Sequence, residues 1–177
     1  MSERPPRRPP KKITAPYLER VAVHYLQRYT APSEHLKRVL RRRIRKSVAH
    51  HGGEVADHEP ALEQVIERLQ QAGMLDDERW THARVGDLHR RGASKRAIQS
   101  KLGMKGAPRA MVDYALSLLD ADADLSAARV YAKRRRLGPW CLDEDERKER
   151  RQKHLAALAR QGFSFDVARR VLDGEAD

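Results

Sequence analysis

Three consecutive carboxylates stand out as a possible site for metal binding or acid–base chemistry. Asp76, Asp77 and Glu78 are adjacent, and grouped carboxylates bind divalent cations or transfer protons in active sites. The triplet, however, follows a glycine stop at Gly73 and precedes an apolar helical pattern. Carboxylates at such a position cap exposed backbone amides and interact favourably with the helix dipole. We therefore predict that Asp76 or Asp77 caps the next helix; the acidic run 143–146 has the same explanation.

A second group of potential metal ligands lies within residues 49–60, which Gly52, Gly53 and Pro60 predict to be a flexible loop. Its ligand types are His50, His51, Asp57, His58 and Glu59. Their spacing matches no closed zinc site, and no cysteine is nearby. The glycine pair also lacks the lysine and the spacing of a phosphate-binding loop. We expect no metal and no cofactor.

Cys141 is the single cysteine of the chain. A nucleophilic thiol needs a base and an orienting group, and the sequence around Cys141 shows no such combination of His and Asn. We predict a partly buried structural thiol in a reducing cytoplasm. With no catalytic constellation elsewhere, the sequence predicts a protein that is not an enzyme.

The basic residues carry the strongest functional signal. Residues 1–50 contain 14 Lys and Arg against three Asp and Glu, whereas residues 51–177 contain 23 against 22. Such an uneven distribution suggests an anionic partner, either nucleic acid or an acidic protein surface. The candidate contacts form three clusters. They are Arg38, Arg41, Arg42, Arg45 and Lys46; Arg90, Arg91, Lys95, Arg96 and Lys101; and Lys133, Arg134, Arg135 and Arg136.

Helical periodicity dominates the elements that must position these side chains. Apolar residues recur at helical spacing from Pro16 onward, and no stretch alternates as a strand would. The run 102–106 followed by Val112 is matched 56 residues later by the run 158–162 followed by Ala168. A short helical unit that repeats cannot bury its apolar face alone, so neighbouring units must pack together. The middle stripe of the third unit is less regular, because His154 occupies an apolar position.

The predicted fold is therefore all-α, a tandem array of three three-helix repeats, elongated and able to curve. We predict a disordered Pro/Arg-rich arm over 1–15. The repeats follow at 16–74, 75–120 and 121–174. Ser33, Ser94 and Ser164 are the predicted N-caps. The N-terminus has no secretory apolar region, and no segment is long enough to span a membrane.

Several separated motifs resemble the RecX family. They are Val65-Ile66-Glu67-Arg68-Leu69 through Gly73-Met74-Leu75-Asp76-Asp77-Glu78-Arg79-Trp80, then Arg90-Arg91-Gly92 with Arg96, Ile98 and Leu102, and finally Leu158-Ala159-Arg160-Gln161-Gly162-Phe163-Ser164. They occur in the family's order over roughly residues 16 to 174. At the positions of Met74 and Trp80 the family usually has different residues, which are aromatic.

The resemblance implies a cytoplasmic, all-helical, non-enzymatic protein that binds the RecA recombinase and usually inhibits it. It implies binding in the groove of the RecA–DNA filament, which limits filament extension or favours disassembly. Salt-sensitive, nonspecific binding to single- or double-stranded DNA is a further expectation, and a monomer is the default state.

The rival hypothesis is a DNA-binding regulator of the helix-turn-helix type that acts without RecA. In that case the helix beginning at Ser33 or Ser94 would read the major groove. It predicts sequence-specific binding to duplex DNA, which the RecX resemblance does not.

Overall fold

A computed structural model describes residues 9–174, which form ten α-helices and no strand. The helices are α1 Ala15–Leu26, α2 Ser33–His51, α3 Glu59–Gln71, α4 Asp77–Arg90, α5 Lys95–Lys105, α6 Arg109–Ser117, α7 Ala123–Arg135, α8 Glu144–Glu149, α9 Arg151–Arg160 and α10 Phe165–Leu172. Short 3₁₀ turns occur at Ala56–His58 and Gly138–Trp140. Within the described range, no helix is both long and apolar enough to cross a bilayer. The all-α prediction is confirmed.

The chain divides into two compact units between Asp77 and Glu78. The buried apolar residues form three clusters: one in the first unit, and two in the second, centred on α4–α6 and on α7–α10. The buried residues of each cluster fall within one predicted repeat, except that Leu75, the first residue of the second predicted repeat, belongs to the cluster of the first unit. The repeat boundaries themselves remain a prediction.

The core of the first unit is built from one apolar stripe per helix. Leu36, Leu40 and Ile44 recur every four residues on α2 and are fully buried. They pack with buried residues of α1, α3 and the following turn: Leu18, Ala22, Leu62, Val65, Ile66, Leu69 and Leu75. Burial of each large aliphatic side chain stabilises the unit by about 1.5–3 kcal/mol. The spacing of apolar residues in the sequence predicts all of these helices.

Two predicted irregular segments contain residues with defined structure. In the predicted arm, residues 1–8 lie outside the described residues, whereas Ser47 Oγ donates a hydrogen bond to the Lys11 carbonyl at 2.9 Å. The predicted loop 49–60 is also corrected, because α2 continues to His51 and α3 begins at Glu59. Pro60 does not delay α3, since the first turn of a helix does not need that amide donor.

The second unit contains a close approach of two helices at Gly92. This residue ends α4 with φ +81°, and a Cβ there would lie 2.8 Å from Tyr131 N in α7. Only glycine meets both the backbone and the steric requirement.

The charged segment from Glu144 to Arg160 forms two helices, α8 and α9, which meet at Arg150. Helix α8 has no buried residue, whereas α9 buries His154, Leu155 and Leu158. The break therefore falls where the chain passes from a solvated charged turn to a stripe that must face the core.

The predicted serine caps have different outcomes. Ser94 Oγ accepts from Ala97 N at 3.1 Å and Ser164 Oγ accepts from Val167 N at 3.2 Å, so both N-caps are confirmed. Ser33 is instead the first residue of α2, and it donates both its N–H and its hydroxyl to Asp77 Oδ1, at 2.8 and 3.0 Å. Pro32 precedes it and has no side-chain oxygen, so the cap comes from a distant carboxylate.

The same arrangement recurs in the second unit. The backbone N–H of Lys95, the first residue of α5, donates to Asp124 Oδ1 at 2.8 Å. Asp77 and Asp124 each lie within the first two residues of a later helix, α4 or α7. Each middle helix is thus capped by the helix that begins the next predicted repeat.

Replacement of Asp77 by alanine leaves the Ser33 amide without its acceptor, so we expect the free energy of unfolding to fall by about 1–2 kcal/mol. Asp124→Ala should have a similar effect through Lys95. Urea denaturation followed by far-UV circular dichroism measures both. The exposed Asp120→Ala is the control and should change little. An Asp77→Ala protein as stable as the control would contradict this role.

His154 explains the irregular stripe of the third cluster. Its side chain is buried, and its Nδ1 accepts a hydrogen bond from the Gly138 amide at 3.2 Å. Burial lowers the pKa of His154, and the charge of Arg150 lowers it further, against an opposing effect of Glu146. The imidazole is therefore held neutral as an acceptor within the core.

A lowered folded-state pKa makes stability depend on pH. Unfolded histidine titrates near about 6.5. Below that pH the folded state binds fewer protons than the unfolded state, so the free energy of unfolding decreases as the pH falls. We expect the melting temperature to fall between pH 7 and 5. His154→Asn retains an acceptor near Nδ1 without titrating and should flatten this dependence. An unchanged pH profile in that variant would exclude His154 as the cause.

Candidate partner-binding surface

The first basic cluster lies on α2, whose geometry separates its cations into two ridges. The inner ridge faces α3: Lys37 Nζ lies 2.6 Å from Glu63 Oε2, and Arg41 donates to both carboxylate oxygens of Glu59 at 2.9 and 3.0 Å. These side chains are half-buried. The inner ridge therefore joins α2 to α3.

The Arg41–Glu59 pair also changes the acidity of both groups. The hydrogen bond from Arg41 lowers the pKa of Glu59, against the opposing effect of burial. The same hydrogen bond raises the pKa of Arg41. Because this charge is matched by a carboxylate of α3, Arg41 is less available to a partner than its neighbours on α2.

The outer ridge faces solvent. Arg38, Arg42 and Arg45 line a shallow groove together with His35 and Arg41. The spacing of three and four residues between the first three places neighbouring Cβ atoms about 5–6 Å apart. Within residues 9–174, Arg42 and Arg45 form no ion pair. Repeated positive charge at this spacing suits a polyanion or an acidic protein surface.

Other exposed groups extend the outer ridge. Lys46 and Arg43 are exposed on the same helix, and Arg43 lies outside the predicted set. At the other end, His35 Nε2 is 3.0 Å from the Tyr25 hydroxyl, whose pKa is raised chiefly by burial. The Tyr29 ring lies 5.1 Å from Tyr25 and is 58% exposed. The ridge therefore combines cations with one accessible aromatic ring.

The second cluster is partly used within the fold. Arg90 and Arg91 both approach Asp87 Oδ1, at 3.9 and 3.3 Å. Lys95 Nζ reaches the Asp120 carbonyl at 3.5 Å. Arg96 and Lys101 are exposed on α5.

The third cluster contacts the second through one arginine. Arg134 Nη1 donates to the Arg91 carbonyl at 3.0 Å, and its guanidinium lies 5.7 Å from the Tyr131 ring centroid. Arg136 ends α7 in the left-handed conformation, with φ 54°. Lys133 and Arg135 are exposed. The predicted clusters therefore contain both structural and accessible cations.

The carboxylate, histidine and cysteine groups form no comparable site. No group of three potential metal ligands occurs in the described part of the chain. His51 Nε2 lies 2.7 Å from the Pro10 carbonyl. Cys141 is half-buried, and its Sγ donates to Glu146 Oε2 at 3.9 Å. Asp77 caps α2.

Known proteins similar to this chain were found by sequence and by structure. No protein-family model matches it. Regulatory protein RecX of Myxococcus xanthus is 41% identical over 174 residues, which cover 97% of this chain and 91% of that protein. The chain belongs to the RecX family. Regulatory protein RecX of Streptomyces coelicolor is 35% identical over 116 residues, 64% of this chain and 60% of the relative.

Solved RecX structures share the fold. The crystal structure of RecX from Lactobacillus salivarius has a TM-score of 0.66 at 18% identity, and the match covers 90% of this chain and 96% of the other. A second RecX structure has a TM-score of 0.60 over 90% of this chain. The RecX motifs predicted from sequence lie at helix junctions: Gly73 follows α3, and Gly162 lies between α9 and α10.

The two ridges of α2 should respond differently to mutation. Arg42→Glu with Arg45→Glu removes repulsion at an exposed surface, so we expect an unchanged or slightly higher melting temperature. Arg41→Gln breaks a partly exposed ion pair and should cost up to about 1 kcal/mol.

Heparin chromatography supplies the second readout. The double glutamate variant should elute at markedly lower salt, and Arg41→Gln should elute close to wild type. Equal elution of the three proteins would contradict the assignment of the accessible charge to the outer ridge.

Proposed function

We propose that this protein regulates the RecA recombinase, most directly as an inhibitor. It binds in the groove of the RecA–DNA filament and limits extension or promotes disassembly. ATP hydrolysis, strand exchange and coprotease activity then fall together, because all three depend on the assembled filament. The observation that carries the proposal is 41% identity to a regulatory protein RecX over nearly the whole chain.

The outer ridge of α2 supports a filament as the partner. Arg42 and Arg45 are exposed and form no ion pair within residues 9–174, so their charges can face a repeating anionic surface. Such a surface is offered by DNA phosphates and by acidic side chains of a filament. Binding through these residues should weaken as salt rises, because each contact releases counterions. We extend the proposal to Arg96 and Lys101, which are also exposed, and to a monomer as the acting form.

The helix-turn-helix alternative receives less support from the caps. A recognition helix contacts base edges with its N-terminal residues. At the start of α5, Ser94 Oγ donates to the Gln161 carbonyl at 2.6 Å and the Lys95 amide is held by Asp124. At the start of α2, the Ser33 amide is held by Asp77. The N-termini of both candidate recognition helices therefore already form hydrogen bonds within the fold.

The test uses preformed RecA filaments on single-stranded DNA. We expect stoichiometric wild-type protein to lower DNA-dependent ATP hydrolysis and strand exchange, and to co-sediment with the filaments. Arg42→Glu with Arg45→Glu should require at least tenfold more protein for the same inhibition.

A double charge reversal elsewhere provides the control. Lys153→Glu with Arg160→Glu replaces two exposed cations of α9 and changes the net charge by the same amount as Arg42→Glu with Arg45→Glu. This control variant should inhibit like wild type. No effect of the wild-type protein at stoichiometric concentration would overturn the proposed function. Sequence-specific binding to duplex DNA without RecA would favour the helix-turn-helix alternative.

A further inference from the structure

A second surface, distinct from the ridge of α2, lies between α5 and α6 in the second unit. It is an open groove of about 410 Å³, lined by residues including Arg96, Ser100, Gly103, Met104, Arg109 and Val112. Of the residues that line the groove, only Arg96 belongs to the motifs that resemble the RecX family.

Gly103 forms the part of the groove for which the fold gives no reason. It lies inside α5, where glycine costs about 0.5–1 kcal/mol relative to alanine. Its φ is not positive, and a Cβ built there would meet no atom within 4 Å. The position that matches it in the third predicted repeat, Ala159 of α9, carries a side chain. Neither backbone conformation nor internal packing therefore requires glycine at 103.

The neighbouring wall of the groove is apolar and accessible. Met104 is 69% exposed, one of the most exposed large apolar side chains of the described chain. Ala107 and Val112 also line the groove, and both belong to the buried cluster of α4–α6. An apolar side chain placed over Gly103 would cover the methionine and contact the edge of that core.

Cations lie on both helices at the rim. Arg96 is exposed on the first turn of α5. Arg109, the first residue of α6, has an 85% exposed side chain and forms only a loose ion pair with Asp113, at 3.5 Å. Asp113 is already held by a 2.6 Å hydrogen bond from Gln99 Nε2. Arg109 can therefore turn to another carboxylate without leaving Asp113 unpaired.

We propose that this groove binds an acidic peptide segment of a partner protein. One apolar side chain of the segment occupies the space over Gly103, and flanking carboxylates pair with Arg96 and Arg109. The flexible thioether of Met104 adapts to the bound side chain. The assignment of this segment to the RecA filament rests on the proposed function, whereas the chemistry of the groove does not.

The composition of the groove favours a peptide over nucleic acid. Single-stranded nucleic acid binds through stacking on aromatic rings, and none of the residues that line this groove is aromatic. An apolar floor with two separate cations instead matches an apolar anchor between carboxylates, a pattern common at protein interfaces.

A peptide titration tests the groove directly. The probe is acetyl-Glu-Asp-Phe-Asp-Glu-amide, added to the full chain labelled with ¹⁵N. We expect saturable shifts at the amides of Ser100, Gly103 and Met104. Gly103→Leu fills the space, so it should weaken binding at least fivefold while leaving the melting temperature unchanged or higher.

Matched controls separate the groove from general charge. Ala159→Leu makes the same addition at the equivalent position of α9 and should bind the probe like wild type. A probe with lysine in place of its acidic residues should not bind. Unsaturable shifts, or equal affinity in Gly103→Leu, would overturn the proposal. Stronger, saturable shifts of the same amides by oligothymidylate would overturn it in favour of nucleic acid.

The RecA assay then assigns the partner. Weaker inhibition by Gly103→Leu than by Ala159→Leu would support a segment on the filament, and equal inhibition would overturn that assignment. If wild-type protein does not inhibit RecA at all, the proposed function fails. The peptide titration still decides the groove in that case.

Discussion

Burial of one apolar stripe per helix is the interaction on which this molecule depends. The chain has 35% charged residues and only 5% aromatic residues, so its core is built almost entirely from aliphatic side chains. A short helix gains too little by itself to be stable in water. Helices must therefore pack around shared clusters, and the three clusters observed follow from this requirement.

Because the helices that bury these stripes are short, their ends also need hydrogen-bond partners. Helices of about ten residues have many unpaired amides for their length, because the first four N–H groups have no partner within the helix. Asp77 and Asp124 supply that partner from the start of a later helix, and Ser94 and Ser164 supply it locally. Capping by a later helix makes the middle helix depend on the chain that follows it. The same contacts cover the helix ends that a DNA-reading protein would need to expose.

The fold then divides the positive charge into structural and accessible groups. Arg41 joins α2 to α3, and Arg134 ties α7 to the end of α4. Arg42 and Arg45, on the same helix as Arg41, remain open to solvent. Sequence clusters alone could not distinguish these roles, since Arg41 and Arg42 are adjacent and of one type. The distinction comes from Glu59, which is 18 residues away in sequence.

The sequence by itself determined the all-helical class, most of the buried stripes, the caps at Ser94 and Ser164 and membership of the RecX family. These features depend on local spacing, propensity and motif order. Tertiary structure decided which arginines face solvent, why His154 fits a core and that the Asp77 carboxylate caps α2. It also revealed the empty space over Gly103. Each of these depends on groups that are distant in sequence and close in space, and local periodicity carries no information about such pairs.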